Sequence, residues 1–315
     1  MIKDIGYLKD KQKFIVIKEL TEQEEQEIYS FEVELNHYSY DKLLYKMVSK
    51  NYQSVIDLIA AYEIKIMTNS SSKFIDEMMI ELNYCMLNFL TVFRAFLDHH
   101  ETRIKQKYGK NSQELSQFKK YCSYEFDNNA AYRFFYKYRD FCQHCGMPVS
   151  IITTRLTQTD TGEERNVLEI LTNKERLLND ADYLGRHVKK DIEANVGDIN
   201  LKKLLIEFNG SIDSIHKGIL RTKKDSLFNA FKMFLSYIYR PETGIINMGI
   251  IIAQNFEEYK KGNAKIHPII FSDFKELGHD LHELGFDQII INSQIFLLKY
   301  FDFTSPQVIL SLKKR

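Results

Sequence analysis

The stretch IDEMMIELNYCMLNFLTVFRAF, residues 75–96, carries apolar side chains at Ile75, Met79, Leu82, Met86, Phe89, Phe93 and Phe96. Steps of three and four residues stack these side chains on one stripe of an α-helix, since each residue turns the chain by about 100°. The spacing predicts one long buried helix. It starts after the polar break at 69–72, which offers several N-caps, with Asp76 and Glu77 in the first turn. It runs to Tyr108, where Gly109 and Asn111 stop it. Such a stripe needs other helices to cover it, so a central helical bundle is the expected core.

The flanking segments supply them. Leu43, Leu44, Met47, Val55, Ile56, Leu58, Ile59 and Tyr62 predict one or two helices over 41–67, and a further helix is expected over 113–126. Asp127 or Asn128 is the expected cap of the next helix, which carries Arg139 and His144 and meets Gly146 and Pro148. Before the bundle, residues 14–18 and 28–35 read as short strands joined by the acidic run 21–27. In the second strand Phe31, Val33 and Leu35 alternate with Glu32 and Glu34.

After the bundle, 150–158 and 164–171 read as a β-hairpin around Asp160, Thr161 and Gly162. Residues 174–194 and 199–239 read as helices, the second interrupted at Asn209-Gly210 and again near Gly218. Strands are expected over 245–253 and 266–271, a helix over 273–284 and a short strand over 289–291. The expected class is α+β, mainly α, in three segments. These are an N-terminal β-rich segment (1–40), a helical bundle (41–148) and a mixed C-terminal region (149–315) of hairpin, helices and short strands.

Composition narrows the functional classes. Of 315 residues, 44% are apolar and 27% charged, with a formal net charge of zero, which is ordinary for a soluble globular protein. Neutrality argues against nonspecific coating of nucleic acid, which is largely electrostatic, and leaves a local basic site open. Lys3, Asp4, Lys9, Asp10 and Lys11 break any N-terminal apolar run, and no apolar segment reaches the ~18 residues of a membrane span. Free thiols in a reducing cytoplasm are therefore expected for Cys85, Cys122, Cys142 and Cys145. Phosphate-binding glycine loops are absent and no cofactor is expected. Cys142 and Cys145 make half of a zinc site with no second half, and His279 and His282 lack the order of a metalloprotease helix, so no metal is expected either.

The most complete chemistry lies in Arg139, Asp140, Phe141, Cys142, Gln143 and His144. A histidine moves protons, and an arginine neutralises charge developing on a phosphate. Five residues of ideal helix turn about 500°, leaving the two side chains about 140° apart. They converge only where the helix ends or unwinds between them, or where two subunits face each other; Gly146 and Pro148 favour an ending. Asp140, four residues before His144, is placed to fix the imidazole tautomer. With 11 arginines and nine histidines, roughly one such spacing arises by chance in a chain of this kind. The plainer reading makes His144 a helix-end cap and Arg139 a member of a surface ion pair. A second polar cluster, Arg94, Asp98, His99, Glu101 and Arg103, has the i,i+4 pairs Arg94–Asp98 and His99–Arg103 of an ordinary solvated helix face; its functional reading packs it by the Arg139 helix to supply substrate contacts, with His100 turned to the core.

The segment 139–144, on the last helix of an all-α unit from about 41 to 146, resembles the HEPN superfamily of helical ribonuclease domains. Its motif is an arginine, a polar residue, three variable residues and a histidine; Asp140 takes the polar place. Members often continue with an aromatic residue, where this chain has Cys145, Gly146 and Met147. The resemblance covers about a third of the chain. It implies a metal-independent endoribonuclease of toxin–antitoxin or antiviral defence systems, acting on RNA such as a tRNA loop. It further implies a homodimer with a composite groove, Arg139 and His144 as catalytic residues, and an antitoxin or regulatory partner. The other reading is a noncatalytic helical interaction, immunity or scaffold protein.

Overall fold

A reciprocal pair of hydrogen bonds starts the first helix. The computed structural model describes residues 4–9, 13–66, 68, 71–158, 162, 164–240, 245–246, 250–253, 266–268, 271–291 and 294–298. In it the Thr21 N–H donates to the Glu24 carboxylate at 3.1 Å, and the Glu24 N–H donates to the Thr21 hydroxyl at 3.3 Å. This capping box satisfies donors that a helix start otherwise leaves bare. Helix α1 (Glu22–Lys65) then runs unbroken for 44 residues.

That helix overturns the β-rich segment expected over 1–40 from residue 22 onward, leaving strand at 4–9 and 13–19. The strand expected over 28–35 is helical, and the acidic run is the helix start. Ile28, Phe31, Leu35 and Tyr38 step by three and four, and each is no more than 6% exposed. Phe31 and Leu35 belong to both periodicities, so the alternation was real but not decisive. Glutamates, good helix formers, tip the balance.

The chain divides into two compact units, one of residues 1–41 with 223–315 and one of residues 42–222. The second unit holds the predicted stripe, buried from Leu82 to Phe96, whereas Ile75 and Met79 are only half-buried and Met78 takes the core position before Leu82. It contains α2 (Ser72–Tyr108), α3 (Gln113–Asn128) and α4 (Ala130–His144). Strands β3 (Ile151–Gln158) and β4 (Glu164–Thr172) pair antiparallel from Ile151 opposite Leu171 to Gln158 opposite Glu164. Short helices α5 (Lys174–Asn179) and α6 (Gly185–Ala194) follow, and β5 (Ile199–Asn200) joins the edge of β4. Helix α7 (Leu201–Ile238) continues without the interruptions expected at Gly210 and Gly218. Gly218 is a close approach instead: a Cβ there would lie 2.6 Å from the Tyr121 ring of α3.

Phe208 of α7 is the hub of this unit's core. Its ring meets Phe93 at 4.9 Å and both Phe89 and Phe135 at 5.4 Å, all edge-on. Burial of a phenylalanine is worth about 1.5–3 kcal/mol, and edge-on contacts add about 0.5–1.5 kcal/mol. Two helices are thereby fixed to a third, which sets the orientation of α4.

In the first unit, β1 (Asp4–Lys9), β2 (Lys13–Glu19), β8 (Ile250–Ala253) and β9 (Ile266–Pro268) form an antiparallel sheet in the order β2-β1-β8-β9. Two small pairs, β6 (Tyr239–Arg240) with β7 (Ile245–Ile246) and β10 (Gln288–Ile291) with β11 (Gln294–Leu297), complete its strands among the described residues. Phe31 stacks on Phe234 at 4.1 Å, and Phe231 stacks on Phe274 of α8 (Phe271–Glu283) at 4.2 Å. A buried ion pair joins Asp41 to Lys223. The polar break at 69–70, the turn at 160–161 and the middle of the strand expected over 245–253 lie outside the described residues. No helix among the described residues is long and apolar enough to cross a membrane.

Candidate functional site

Asn129, one residue beyond the expected caps, starts α4 by accepting the Tyr132 N–H on its side chain at 3.0 Å. Its amide in turn donates to Ser211 of α7 at 2.9 Å. Ala131, Phe134, Phe135, Tyr138 and Phe141 then fall three and four residues apart and are all buried. This leaves Arg133, Tyr136, Lys137, Asp140 and His144 on the other side.

The end of the helix is pinned by three contacts. The Tyr138 hydroxyl donates to the Pro148 carbonyl at 2.5 Å. Asn83 of α2 grips Val149 by both backbone groups, accepting its N–H at 2.8 Å and donating to its carbonyl at 3.0 Å. Arg176 of α5 donates to the Cys145 carbonyl at 2.6 Å. A Cβ on Gly146 would lie 2.2 Å from that guanidinium, so the glycine makes room for it.

Arg139 and His144 do not converge within one chain. The expected ending between them is overturned: α4 continues through His144, and the Cys145 N–H still bonds the Phe141 carbonyl at 2.8 Å. Gly146 and Pro148 stop the helix one step too late to bend the pair together. On an unbroken helix the two side chains are about 140° apart and about 7.5 Å apart along the axis.

Each has a different neighbour. Arg139 pairs with Asp140, its Nη1 donating to the carboxylate at 3.1 Å. Asp140 is therefore spent on Arg139, and the bond expected from it to His144 is not formed. The Arg139 Nε is buried without a hydrogen-bond partner among the described residues. His144 is exposed, and its ring stacks on Tyr183 at 5.2 Å with planes 23° apart.

The second polar cluster divides in the same way. Arg94 reaches α4, with its guanidinium 4.9 Å above the Tyr136 ring while its Nε donates to Asp98 at 3.0 Å. Glu101 instead holds Lys105 at 2.8 Å and Lys119 at 3.6 Å. Its carboxyl is kept below the usual range, chiefly by the Lys105 hydrogen bond. His99 is exposed and Arg103 half-buried. His100 is fully buried, bonded through Nδ1 to the Phe96 carbonyl at 2.7 Å and packed between Phe96 and Phe118.

A cavity of about 490 Å³ opens at the other end of α4, lined by Ala130, Phe134, Asp191, Asp198, Lys203 and Glu207 among others. Ala130 and His144 are about 21 Å apart along the axis. Asp191 is held by Arg133 at 2.7 Å, and Asp198 accepts the Lys174 N–H at 2.9 Å. Burial pushes the Cys122 thiol up to about 12 and also raises Cys142. That is the opposite of what a thiolate ligand or nucleophile needs. Among the described residues no three histidine, cysteine or carboxylate side chains group closely enough to hold a metal.

Tyr183, Arg176, Asn83 and Tyr136 are the contacts of this region that sequence reading did not name. They lie 39, 32, 61 and 8 residues from His144, and no local pattern marks them. No protein-family model, curated protein or solved structure matches this chain.

Proposed function

We propose that the protein is a metal-independent endoribonuclease whose active site forms between two copies of the chain. The observation that carries this reading is Arg139 itself: Asp140 holds one donor of its guanidinium, and the side chain stays about a quarter exposed beside it. A phosphate oxygen is the acceptor such a fork suits best.

His144 sits exposed at the last position of α4, steadied by Tyr183. One histidine takes the proton of a ribose 2′-hydroxyl, or gives one to the leaving 5′-oxygen. The 2′-oxygen attacks phosphorus, the bond from phosphorus to the 5′-oxygen breaks, and a cyclic phosphate and a 5′-hydroxyl result. Arg139 stabilises the five-coordinate oxyanion. The 140° divergence within one helix requires the arginine of one copy to meet the histidine of the other.

Self-association has a surface to use. Ile80, Tyr84 and Met147 are 69%, 67% and 58% exposed. Asn83, between the first two, grips Val149 just beyond the third, so this apolar group lies at the end of α4. Single-stranded RNA such as a tRNA loop is the proposed substrate, and the cytoplasm the proposed location. A role in antiviral defence or as a toxin, with an antitoxin or regulatory partner, is part of the same proposal.

One observation favours a noncatalytic interaction protein. Arg139 and His144 each already have a partner within the chain, Asp140 and Tyr183. The test is incubation of the full chain with total tRNA and a single-stranded RNA pool in EDTA, beside His144→Ala. Cleavage that disappears in the variant supports the nuclease. A wild-type protein that dimerises and binds RNA yet leaves it intact favours the interaction protein.

A further inference from the structure

One face of α3 is rich in lysine, serine and asparagine. Ser112, Ser116, Lys119, Lys120, Ser123, Tyr124, Asp127 and Asn128 follow at helical spacing. With Lys110, Asn111 and Leu115 they line a shallow groove of about 680 Å³. On the 1.5 Å rise per residue the face is about 24 Å long.

Charge separates it from an ordinary solvated face. The whole chain balances 43 basic against 43 acidic residues, whereas the groove lining carries three lysines and one aspartate. Glu101 engages Lys119 at 3.6 Å. Among the described residues Lys110 and Lys120 have no carboxylate partner. Tyr124 is 65% exposed, and among the described residues its ring stacks on no other. The inner side of the helix is anchored, because Leu115, Phe118 and Glu125 are buried. The groove is thus a fixed surface.

We infer that this groove binds a single-stranded segment of RNA, with phosphates on Lys110, Lys119 and Lys120 and one base stacked on Tyr124. Charge complementarity selects a polyanion. An unpartnered aromatic ring among lysines selects one with exposed bases. The Ser116 and Ser123 hydroxyls and the Asn111 amide supply ribose contacts without reading sequence, while Ser112 caps α3 and Asn128 donates to the Tyr124 carbonyl. A duplex hides its base faces and leaves Tyr124 nothing to stack on. This inference rests on the ribonuclease reading for its choice of RNA, and it adds a substrate-holding surface apart from Arg139 and His144.

Binding separates the two claims. A fluorescein-labelled 12-nucleotide RNA without secondary structure is titrated with the full chain carrying His144→Ala, in EDTA, and followed by anisotropy at several salt concentrations. The triple change Lys110→Ala, Lys119→Ala and Lys120→Ala is expected to weaken binding at least tenfold. It should also flatten the salt dependence by about two units of log–log slope. Tyr124→Ala is expected to weaken binding about five- to hundredfold with the slope unchanged. A charge-matched control, Lys73→Ala with Lys203→Ala and Lys217→Ala, should bind within twofold of the parent.

Equal losses in the groove and control triples, or no loss in either, overturn the groove. So does a parent protein that binds no RNA. Binding that depends on the groove, in a wild-type chain that cleaves nothing, leaves the groove standing and removes the nuclease. Cleavage unchanged by the groove triple at limiting RNA does the reverse.

Discussion

On one side of α4, Phe134, Phe135, Tyr138 and Phe141 lie buried, Phe135 against rings of α2 and α7; on the other, Arg133, Asp140 and His144 meet polar partners, a tyrosine face or solvent. The buried side owes its order to many weak contacts, of which Phe135 alone makes edge-on ones with Phe89, Phe134 and Phe208. The polar side owes its order to a few directed bonds. Mutations should therefore act on stability from the first side and on chemistry from the second.

The largest effect should come from the buried side. Phe135→Ala empties the junction of α2, α4 and α7 and is expected to cost about 3–5 kcal/mol, read as a lower urea midpoint by circular dichroism. Asn83→Ala comes next. It strips both backbone groups of Val149 of their partners and should cost about 2 kcal/mol or more. Because the same clamp holds the tail of α4, cleavage should fall with it. A midpoint within about 0.5 kcal/mol of wild type would show that the tail is held by Tyr138 and Arg176 alone.

A smaller effect follows from pH. The folded chain keeps the Cys122 proton up to about 12, and burial raises Cys142, Tyr132 and Tyr138 in the same sense. Between the usual thiol range and about 12 the unfolded chain binds fewer protons than the folded one. Stability is thus full below that window and falls as pH rises through it. The urea midpoint should be lower at pH 10 than at pH 8. Cys122 and Cys142 should resist iodoacetamide at pH 8 until the chain unfolds. Rapid alkylation of Cys142 in the native protein would contradict the burial that raises its thiol.

How much of this was legible in the sequence depends on whether the deciding contacts are local. The stripe of α2 was, because Leu82, Met86, Phe89, Phe93 and Phe96 repeat at helical spacing and all are buried. Residues 28–35 were not, because Phe31 and Leu35 satisfy two periods at once, and the choice falls to the Thr21–Glu24 capping box and the helix-forming glutamates around them. Gly218 reads locally as a helix break, whereas its meaning is Tyr121, 97 residues away in sequence. At the candidate site the residue types were legible and their partners were not. Asp140 sits four residues before His144 but binds its immediate neighbour Arg139. The groove on α3 escaped notice because its lysines, serines and tyrosine are scattered over 110–128 and come together only once α3 is helical.

The smallest expected effects on stability are those of Arg139→Ala and His144→Ala, each within about 0.5 kcal/mol, and they allow the most direct test. Each variant alone should fail to cut single-stranded RNA in EDTA. If each active site takes Arg139 from one copy and His144 from the other, a mixed dimer of the two variants keeps one intact site. Co-refolding the variants in equal amounts should then restore about a quarter of the wild-type rate, since half the dimers are mixed and each retains one of two sites. Two inactive variants that recover nothing on mixing, beside an active wild type, would contradict the composite site.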